Sequence, residues 1–321
     1  NTSLWVKDFK GNDPRFISYL LKTVTFDGST ASAVPGVNRN HLHRLAVARP
    51  PLRTQRRIVS VLAALDQLVE INERRIDLLE DVARSLYDEW LVRFRFPGHE
   101  GVRFVESEIG LVPEGWELRR LGDLVTTQYG LTASAVDGDV GPRFLRGMDI
   151  NKRSYIDWSA VPRCDASQDD VSRFQLQVGD ICVIRMADPG KVGIVEASID
   201  AVFASYLVRI RSNDSRLPPY LLFHYLDSEE YQSWVSGSST GSTRKSASAA
   251  VLVEPRIVVP PAEIASMFEA RATSLRRCLA GLVEACALIA ATRELLLPRL
   301  VTGRLDISDI DLGDLLPDDA A

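Results

Sequence analysis

The side chains of this chain that could do chemistry are mostly hydroxyl, amide and basic groups on glycine-rich turns and at predicted strand ends. The densest group is the segment GSSTGSTRK at residues 237–245. Its glycines let backbone N–H groups approach an anion, and its hydroxyls, Arg244 and Lys245 can donate to the same anion. Such groups suit the phosphates and base edges of a nucleic acid. A solvated surface loop is the alternative that this composition leaves open.

A second loop of similar character, GVNRNH at residues 36–41, favours the nucleic-acid interpretation of the first. Other basic and aromatic groups stand singly at turns and strand ends, where a solvated side chain is the alternative for each arginine. Arg209 and Arg211, on one predicted strand, belong to this group. The side chains that we predict to contact DNA are Tyr129, Arg143, Arg146, Arg185, Lys191, Thr240, Ser242, Thr243, Arg244, Lys245, Asn38 and Arg39.

The motifs that usually carry catalysis or metal binding are missing from the sequence. LPPY at residues 217–220 is similar to a methyltransferase motif, but Leu217 cannot accept a hydrogen bond from an amine. ADPGKVG at residues 187–193 is not a phosphate-binding loop, because Arg185 and Val192 replace its first glycine and its final Ser or Thr. The pair His41-x-His43 has no partners at a spacing that suits a metal. We therefore expect a chain that is not an enzyme and holds no metal or cofactor of its own.

The composition is typical of a soluble protein of about two domains, with 45% hydrophobic and 25% charged residues. No apolar run reaches the roughly 18 residues of a membrane helix. The four cysteines form no C-x-x-C pair, so we expect reduced thiols and a cytoplasmic protein. Without the six aspartates of the C-terminal tail, the net charge changes from −5 to +1. A local basic patch, rather than bulk charge, would therefore have to carry nucleic-acid binding.

Two long helices, each introduced by a proline pair, are the elements that must position these groups. Pro50-Pro51 and Pro260-Pro261 lie 210 residues apart, and apolar side chains then recur in alternating steps of four and three. This spacing predicts two coiled-coil seams. The first seam is Ile58, Leu62, Leu65, Val69, Asn72, Ile76, Leu79, Ala83, Leu86 and Trp90. The second is Phe268, Ala272, Leu275, Leu279, Leu282, Cys286, Ile289, Arg293, Leu296 and Leu300.

The shared spacing and phase of the two stretches indicate an internal repeat. Upstream of each proline pair stand a short helix that begins at a proline, a glycine-containing loop and a short strand. The second copy has a full module before its helix, whereas the first has only about 50 residues. Asn72, the polar residue of the first seam, is either a tolerated edge residue or a buried amide that fixes the register of the helices.

The segments that carry these features resemble a known family. PPLRTQRRIVSVLAALDQLVEINERRIDLLEDVARSLYDEWLVRFRFPGHE, at residues 50–100, closely resembles the conserved region of type I restriction–modification specificity subunits. The same resemblance is carried by VPEGWELRRLGDLV (112–125), GDICVIRMADPGKVG (179–193) and LLLPRLVTGRLDIS (295–308). The second proline phrase departs from the family pattern, since Ala262 and Ala265 replace its Leu and Gln.

The resemblance implies an α+β fold. In it, mostly-β target recognition domains with short helices are joined by two long antiparallel coiled-coil helices in a pseudo-two-fold repeat. On this basis we expect residues 1–49 to be the C-terminal remnant of a first target recognition domain and 50–97 to be the first conserved helix. A linker at 98–114, a second target recognition domain at 115–260, a second conserved helix at 261–303 and an acidic tail at 304–321 follow.

The resemblance also implies a mechanism. Each target recognition domain would read one half of a split site in double-stranded DNA, and the helices would set the spacing of the two halves. The chain would be a scaffold for two methyltransferase subunits, which carry S-adenosylmethionine and methylate adenine N6. Motor–nuclease subunits that use ATP and Mg would join them in the restriction complex. No membrane association is expected.

Two other classes of function remain as alternatives. One is a coiled-coil adaptor without DNA contact. The charged surface of the first long helix supports the scaffold role that the resemblance implies. Residues 53–95 hold eight acidic and eight basic side chains, which suit either a polar docking surface or a solvated helix face. The other is a DNA methyltransferase or nuclease with an unrecognised active site, which measurable affinity of the chain for S-adenosylmethionine would reveal.

Overall fold

The computed structural model describes residues 5–24, 44–47, 49–239 and 245–308 of the chain. It confirms that helices and sheets are mixed in this fold. Each helix among these residues is either too short or too polar to span a membrane. The helices are α1 (Pro14–Lys22), α2 (Leu52–Tyr87), α3 (Gly147–Ile150), α4 (Gln168–Phe174), α5 (Pro219–Asp227), α6 (Glu229–Ser238), α7 (Ala249–Leu252) and α8 (Ala262–Val301). The strands are β1 (Phe104–Ser107), β2 (Gly110–Pro113), β3 (Glu117–Arg120), β4 (Val125–Tyr129), β5 (Ala135–Val136), β6 (Arg143–Leu145), β7 (Arg163–Cys164), β8 (Ile181–Ile184), β9 (Val192–Ile194), β10 (Ala201–Phe203), β11 (Leu207–Ser212) and β12 (Arg256–Val259).

The chain divides into two compact units. The helical unit comprises residues 1–77 and 279–321, and the mixed unit comprises residues 78–278. Helices α2 and α8 each contribute residues to both units.

In the helical unit, α1 packs on the two long helices. Asp13 caps α1, because its carboxylate accepts from the N–H groups of Arg15 and Phe16 at 2.8 and 3.0 Å. Phe16 is buried in one apolar cluster with Ile58 and Leu62 of α2 and with residues 297–301 of α8. The sequence prediction of a short amphipathic helix that begins at Pro14 agrees with this arrangement.

The long helices run antiparallel within the helical unit. Arg293 of α8 forms an ion pair with Asp66 of α2 at 2.7 Å, and Cys286 Sγ approaches the carbonyl oxygen of Val69 at 3.9 Å. As the position along α2 increases, the partner position along α8 decreases, which defines the antiparallel direction. Arg293, a charged residue at a predicted seam position, is thus accommodated by a carboxylate on the facing helix.

The long helices also contact each other within the mixed unit, where aromatic rings fill the space between them. Tyr87 and Trp90 lie edge-on to Phe268, with ring centroids 6.2 and 6.3 Å apart. The guanidinium of Arg271 lies over the Trp90 ring at 4.7 Å. Tyr87, Trp90 and Phe268 belong to one buried cluster that also includes Ala265 and Ala272.

All 20 predicted seam positions are buried or half-buried. Asn72 is among the buried ones, at 8% exposure, which favours the register-fixing interpretation over a surface edge. A continuous coiled coil over the full length of both helices, and the pseudo-two-fold repeat, stay predictions.

The predicted boundaries of the first long helix and of the linker differ from the observed elements. The α-helix ends at Tyr87 and continues as a π-helical turn, Asp88–Val92, rather than reaching residue 97. The segment predicted as a linker holds the β1–β2 hairpin, in which Val112 is buried. Phe94 stacks edge-on against both Phe104 and Trp116, at 6.1 and 5.3 Å between centroids. These aromatic contacts order a segment whose glycines and charges suggested a linker.

The mixed unit contains two four-stranded sheets, with strand orders β4-β11-β8-β9 and β10-β6-β7-β5. All neighbouring strands in the first of these are antiparallel. Successive side chains of β8 point to opposite faces. Ile181 and Val183 belong to the cluster that contains α5, whereas Cys182 and Ile184 belong to the cluster that contains the second sheet. Strand β8 is therefore buried on both faces, and it lies between the two apolar clusters of this unit.

Gly130 is the point where the chain leaves the first sheet and reaches the second. A Cβ atom at this position would lie 2.3 Å from the carbonyl oxygens of both Phe203 and Ala204. Leu131 then donates to the Phe203 carbonyl at 2.8 Å, alongside β10. Only glycine permits this close approach of two backbones.

Candidate nucleic-acid interface

One end of the β4-β11-β8-β9 sheet gathers side chains from four segments of the sequence. Tyr129 is the last residue of β4, Arg185 follows β8, Lys191 precedes β9 and Tyr206 precedes β11. Because neighbouring strands are antiparallel, these four positions lie at the same end of the sheet. The fold thus brings together three residues that the sequence indicated separately: Tyr129, Arg185 and Lys191. We call this region the sheet end.

The backbone of Arg185 and a neighbouring ring fix this residue at the sheet end. Its N–H donates to the Tyr206 carbonyl, and its own carbonyl accepts from the N–H of Ala247, both at 2.9 Å. Its guanidinium carbon lies 4.9 Å from the centroid of the Tyr129 ring, a cation–π distance. Nη1 of the same guanidinium approaches Met186 Sδ at 3.6 Å. Its Nε is buried and has no hydrogen-bond partner within the described ranges.

The Tyr129 ring is fixed in turn by the start of α7. Its hydroxyl oxygen accepts from the N–H of Ala249 at 2.9 Å, which satisfies a free donor of the first helical turn. The ring nevertheless remains 43% exposed. Tyr129 therefore combines a fixed orientation with a face that is open to solvent.

The C-terminal side of the Gly/Ser-rich loop also reaches the sheet end. The carbonyl of Lys245 accepts from the N–H of Ala187 at 3.0 Å, and Ser246 forms a β-bridge with Met186. The side chains of Lys191 and Lys245 are both exposed. The residues predicted to contact DNA at positions 38, 39, 240, 242, 243 and 244 (Asn38, Arg39, Thr240, Ser242, Thr243 and Arg244) lie outside the described residues.

Arg143 and Arg146, also predicted to contact DNA, already have partners inside the mixed unit. Arg146 makes a bidentate ion pair with Asp149, at 3.0 Å from Nε and 2.9 Å from Nη2. Arg143 donates to the Val161 carbonyl at 2.6 Å. Arg143 is the first residue of β6 and Arg146 directly follows this strand, so both lie at the second sheet and not at the sheet end. Their predicted DNA contacts stay predictions, and the observed partners indicate that these two side chains also hold the fold.

Arg209 and Arg211 also have a partner inside the mixed unit, the carboxylate of Asp180. Arg211 donates to both carboxylate oxygens of Asp180, at 2.6 and 2.8 Å, and Arg209 lies 3.7 Å from the same carboxylate. Asp180 is 1% exposed, so the two arginines neutralise a buried charge. Hydrogen bonding to Asp180 raises the pKa of Arg211. These arginines are therefore better understood as structural than as free DNA contacts.

Tyr206 is a member of the sheet end that sequence reasoning missed. It is 57% exposed and lies in the turn between β10 and β11. The sequence FASYLVRIRS at residues 203–212 predicts a single strand, in which Tyr206 would be an ordinary strand residue. An exposed aromatic in a tight turn between two buried strands is the signal that could have identified it.

A buried polar network connects several elements of the mixed unit. Arg276 of α8 donates to the two carboxylate oxygens of Glu196 at 2.7 and 2.5 Å, and to the hydroxyl and carbonyl oxygens of Ser154 at 2.9 and 3.0 Å. The Ser154 hydroxyl also donates to Glu80 of α2, and the Tyr220 hydroxyl donates to Glu196. Arg276 is only 3% exposed. The network thus connects both long helices to the loops after α3 and β9.

Helix α5 is held at both ends by the long helices. The carboxylate of Glu269 on α8 accepts from the N–H groups of Tyr220 and Leu221, at 3.0 and 3.3 Å. A negative charge is stabilising at the N-terminus of a helix, where donors are free. At the other end, Arg84 of α2 lies 3.3 Å from the Asp227 carboxylate. Because α5 packs on the sheet, these contacts also position the sheet end relative to the helices of the mixed unit.

Comparisons with known proteins agree with this architecture. Residues 1–81 match the family model described as type I restriction modification DNA specificity domain. The chain is 22% identical over 312 residues to the type I restriction enzyme MjaIX specificity subunit of Methanocaldococcus jannaschii, with 92% of this chain and 70% of that protein aligned. It is 30% identical over 135 residues to the putative type I restriction enzyme MjaX specificity subunit of the same organism, which covers 38% of this chain and 30% of that protein.

A solved structure shows a related fold. The type I restriction–modification system S subunit from M. genitalium superposes with a TM-score of 0.55 at 11% identity, covering 89% of this chain and 72% of that chain. The family-model match and the longer alignment are both with the DNA-specificity class of restriction–modification proteins. Within that class, the chain is similar to the specificity subunits of type I restriction–modification systems.

Proposed function

We propose that this chain reads a bipartite target in double-stranded DNA and presents it to the other subunits of a type I complex. The mixed unit would be the target recognition domain for one half of the site. The residues before α2 would belong to a second domain for the other half. The long helices would set the distance between the two halves, at about one turn of the DNA duplex.

The observation that carries this proposal is the composition of the sheet end. It combines two exposed tyrosines, two exposed lysines and an arginine that has no acidic partner among the residues the structure describes. Separate segments of the chain contribute these side chains. Lysines neutralise phosphates, whereas arginine and aromatic side chains can contact base edges. The turn between β8 and β9 also contains the exposed Asp188. The positive charge of the sheet end is therefore local and moderate.

The attachment of this surface supports a role in measuring distance. The Arg276 network and the Glu269 contact join the mixed unit to α8, and Glu80 and Arg84 join it to α2. A recognition surface that is held by the long helices would keep its position on them, which is what a spacing role requires. The antiparallel direction of the helices and the repeated sequence suit a pseudo-two-fold arrangement of two such surfaces.

The partners follow from the family. Two methyltransferase subunits would supply S-adenosylmethionine and methylate adenine N6 after base flipping, and motor–nuclease subunits would supply ATP- and Mg-dependent steps. The chain itself would supply specificity and geometry without catalysing a reaction, in the cytoplasm where these partners act. Purified chain should accordingly show no affinity for S-adenosylmethionine in calorimetry, and measurable binding would contradict the non-catalytic role.

The direct test is to map methylated adenines genome-wide in cells that contain the methyltransferase subunit, with and without this chain. We expect a split motif with a fixed spacer that depends on the chain. The same methylation pattern in both strains would contradict the proposal. A gel-shift assay with a randomised duplex library then addresses the adaptor alternative, because an adaptor that does not contact DNA would produce no sequence-dependent shift.

A further inference from the structure

Arg185 differs from the neighbouring arginines of the mixed unit in the partners of its guanidinium. Arg146 and Arg211 make bidentate ion pairs, and Arg143 donates to a backbone carbonyl. In the part of the chain that the structure describes, the only hydrogen-bond acceptor of the Arg185 guanidinium is the weak acceptor Met186 Sδ. A half-buried guanidinium without an oxygen acceptor is unusual enough to require an explanation, and a ligand is one.

The geometry limits how a ligand can reach Arg185. Nε is buried, so only Nη1 and Nη2, at the end of the guanidinium, remain to contact a ligand. The Tyr129 ring lies against the guanidinium, and the hydrogen bond from Ala249 fixes that ring. Arg185 therefore presents two N–H donors in a fixed plane, between strands whose backbone bonds also hold it.

A fixed planar pair of donors matches a base better than a phosphate. Guanine presents two acceptors, O6 and N7, in the major groove, and arginine is the side chain that most often binds both. A phosphate accepts from many directions, so the exposed, flexible Lys191 and Lys245 at the same sheet end suffice for it. Tyr206, whose carbonyl accepts from the Arg185 N–H, contributes a further exposed aromatic ring at the sheet end.

We propose that Arg185 reads a guanine of the DNA half-site through Nη1 and Nη2, with Tyr129 as the residue that positions it. This inference rests on the proposed function, since it names one base of the target that the mixed unit recognises.

The test is selection from a randomised duplex library by the full chain assembled with its methyltransferase subunits. Four chains are compared: wild type, Arg185→Lys, Arg185→Gln and the control Lys191→Ala. Arg185→Lys retains the charge but loses the planar pair of donors, so preference for guanine at one position should fall by about 5- to 150-fold. Arg185→Gln should shift that position from guanine to adenine, because glutamine matches N6 and N7 of adenine. A new preference of this kind cannot arise from misfolding.

The Lys191→Ala control should behave differently, because Lys191 would contact phosphate. It should retain every base of the motif and reduce the dependence of log affinity on log salt by about one phosphate contact. Tyr129→Leu tests positioning: it should weaken the guanine preference at the same single position and leave the salt dependence unchanged.

The possible outcomes are distinguishable. If wild type selects a motif and both Arg185 variants select the same motif with undiminished guanine preference, the role of Arg185 is wrong while the proposed function stands. If the Arg185 variants lose only salt dependence, Arg185 contacts phosphate and the inference is also wrong. If wild type selects no motif, the proposed function fails together with the inference.

Discussion

Arg276 of the second long helix and Glu196, two residues after strand β9, form a bidentate ion pair at 2.7 and 2.5 Å. The two residues are 80 positions apart in sequence, and their side chains are 3% and 20% exposed. Ser154 and Tyr220 satisfy further donors and acceptors of the pair. Because both charges are shielded from water, each depends on the other for its stability.

Removing one partner of this pair should be strongly destabilising. Arg276→Met would leave the Glu196 carboxylate without its main partner, and the expected loss is about 3–5 kcal/mol in the free energy of unfolding. The double variant Arg276→Met with Glu196→Met should recover much of this loss, since no uncompensated charge remains. Denaturant-induced unfolding of the wild type and the variants measures the difference.

A surface pair in the first long helix provides the matched control. Arg74 and Glu70 are also an arginine–glutamate pair, but their side chains are 73% and 61% exposed. Arg74→Met should cost no more than about 0.5 kcal/mol, because exposed pairs are screened by solvent. Equal costs for Arg74→Met and Arg276→Met would show that burial does not strengthen the Arg276–Glu196 pair.

Local patterns in the sequence predict the long helices well. They do not predict which distant segments of the chain contact each other. The seam positions follow from a periodicity that each helix carries by itself, so Leu62 and Phe268 could be placed inside from their spacing alone. Arg276 stands next to the seam residue Leu275, and nothing local distinguishes it from a solvated helix residue. Its burial depends on Glu196, which only the folded chain brings near.

The candidate site shows the same limit. Tyr129, Arg185 and Lys191 were identified by residue type, but the sequence contained no information on which of the predicted contacts share a surface. The antiparallel order of four strands decides that, whereas Arg143 lies on β6 of the other four-stranded sheet. Tyr206 was missed because a single strand was predicted where the chain makes two strands with a turn between them.

Gly130 should not tolerate even a methyl group. In Gly130→Ala, the new Cβ would lie 2.3 Å from two backbone carbonyl oxygens, which cannot move without disturbing β10. We expect a loss of about 1–3 kcal/mol, the usual cost of overpacking. Gly101→Ala is the control, because a Cβ there meets nothing within 4 Å. Thermal unfolding compares the two, and an unchanged melting temperature in Gly130→Ala would mean that the backbones can separate at little cost.

Two leucines of the first long helix should respond differently to the same substitution. Leu62 is 0% exposed in the cluster with α1, whereas Leu68 is 48% exposed. Leu62→Asp places a carboxylate in an apolar cluster and should cost more than about 3 kcal/mol. Leu68→Asp should change the free energy of unfolding by no more than about 0.5 kcal/mol. Urea unfolding of both variants measures the contrast, and comparable losses would place Leu68 in a buried contact.

His224 should make stability depend on pH. Burial, followed by the charges of Arg276 and Arg84, lowers its pKa from 6.5 to about 3. The unfolded chain therefore takes up a proton below about pH 6.5, while the folded chain resists protonation until about pH 3. The contribution of His224 to stability is fully present above pH 6.5 and decreases as pH falls, by about 1.4 kcal/mol per pH unit.

Replacing the imidazole isolates this contribution. His224→Phe keeps an aromatic ring among Tyr87, Phe223 and Phe268 but cannot be protonated. Between pH 7.5 and pH 5, the wild type should lose about 2 kcal/mol more than the variant in the free energy of unfolding. Other titrating groups affect both chains equally, so the difference reports His224 alone. Parallel pH profiles for the two chains would show that the imidazole is protonated as easily in the folded protein as in the unfolded chain.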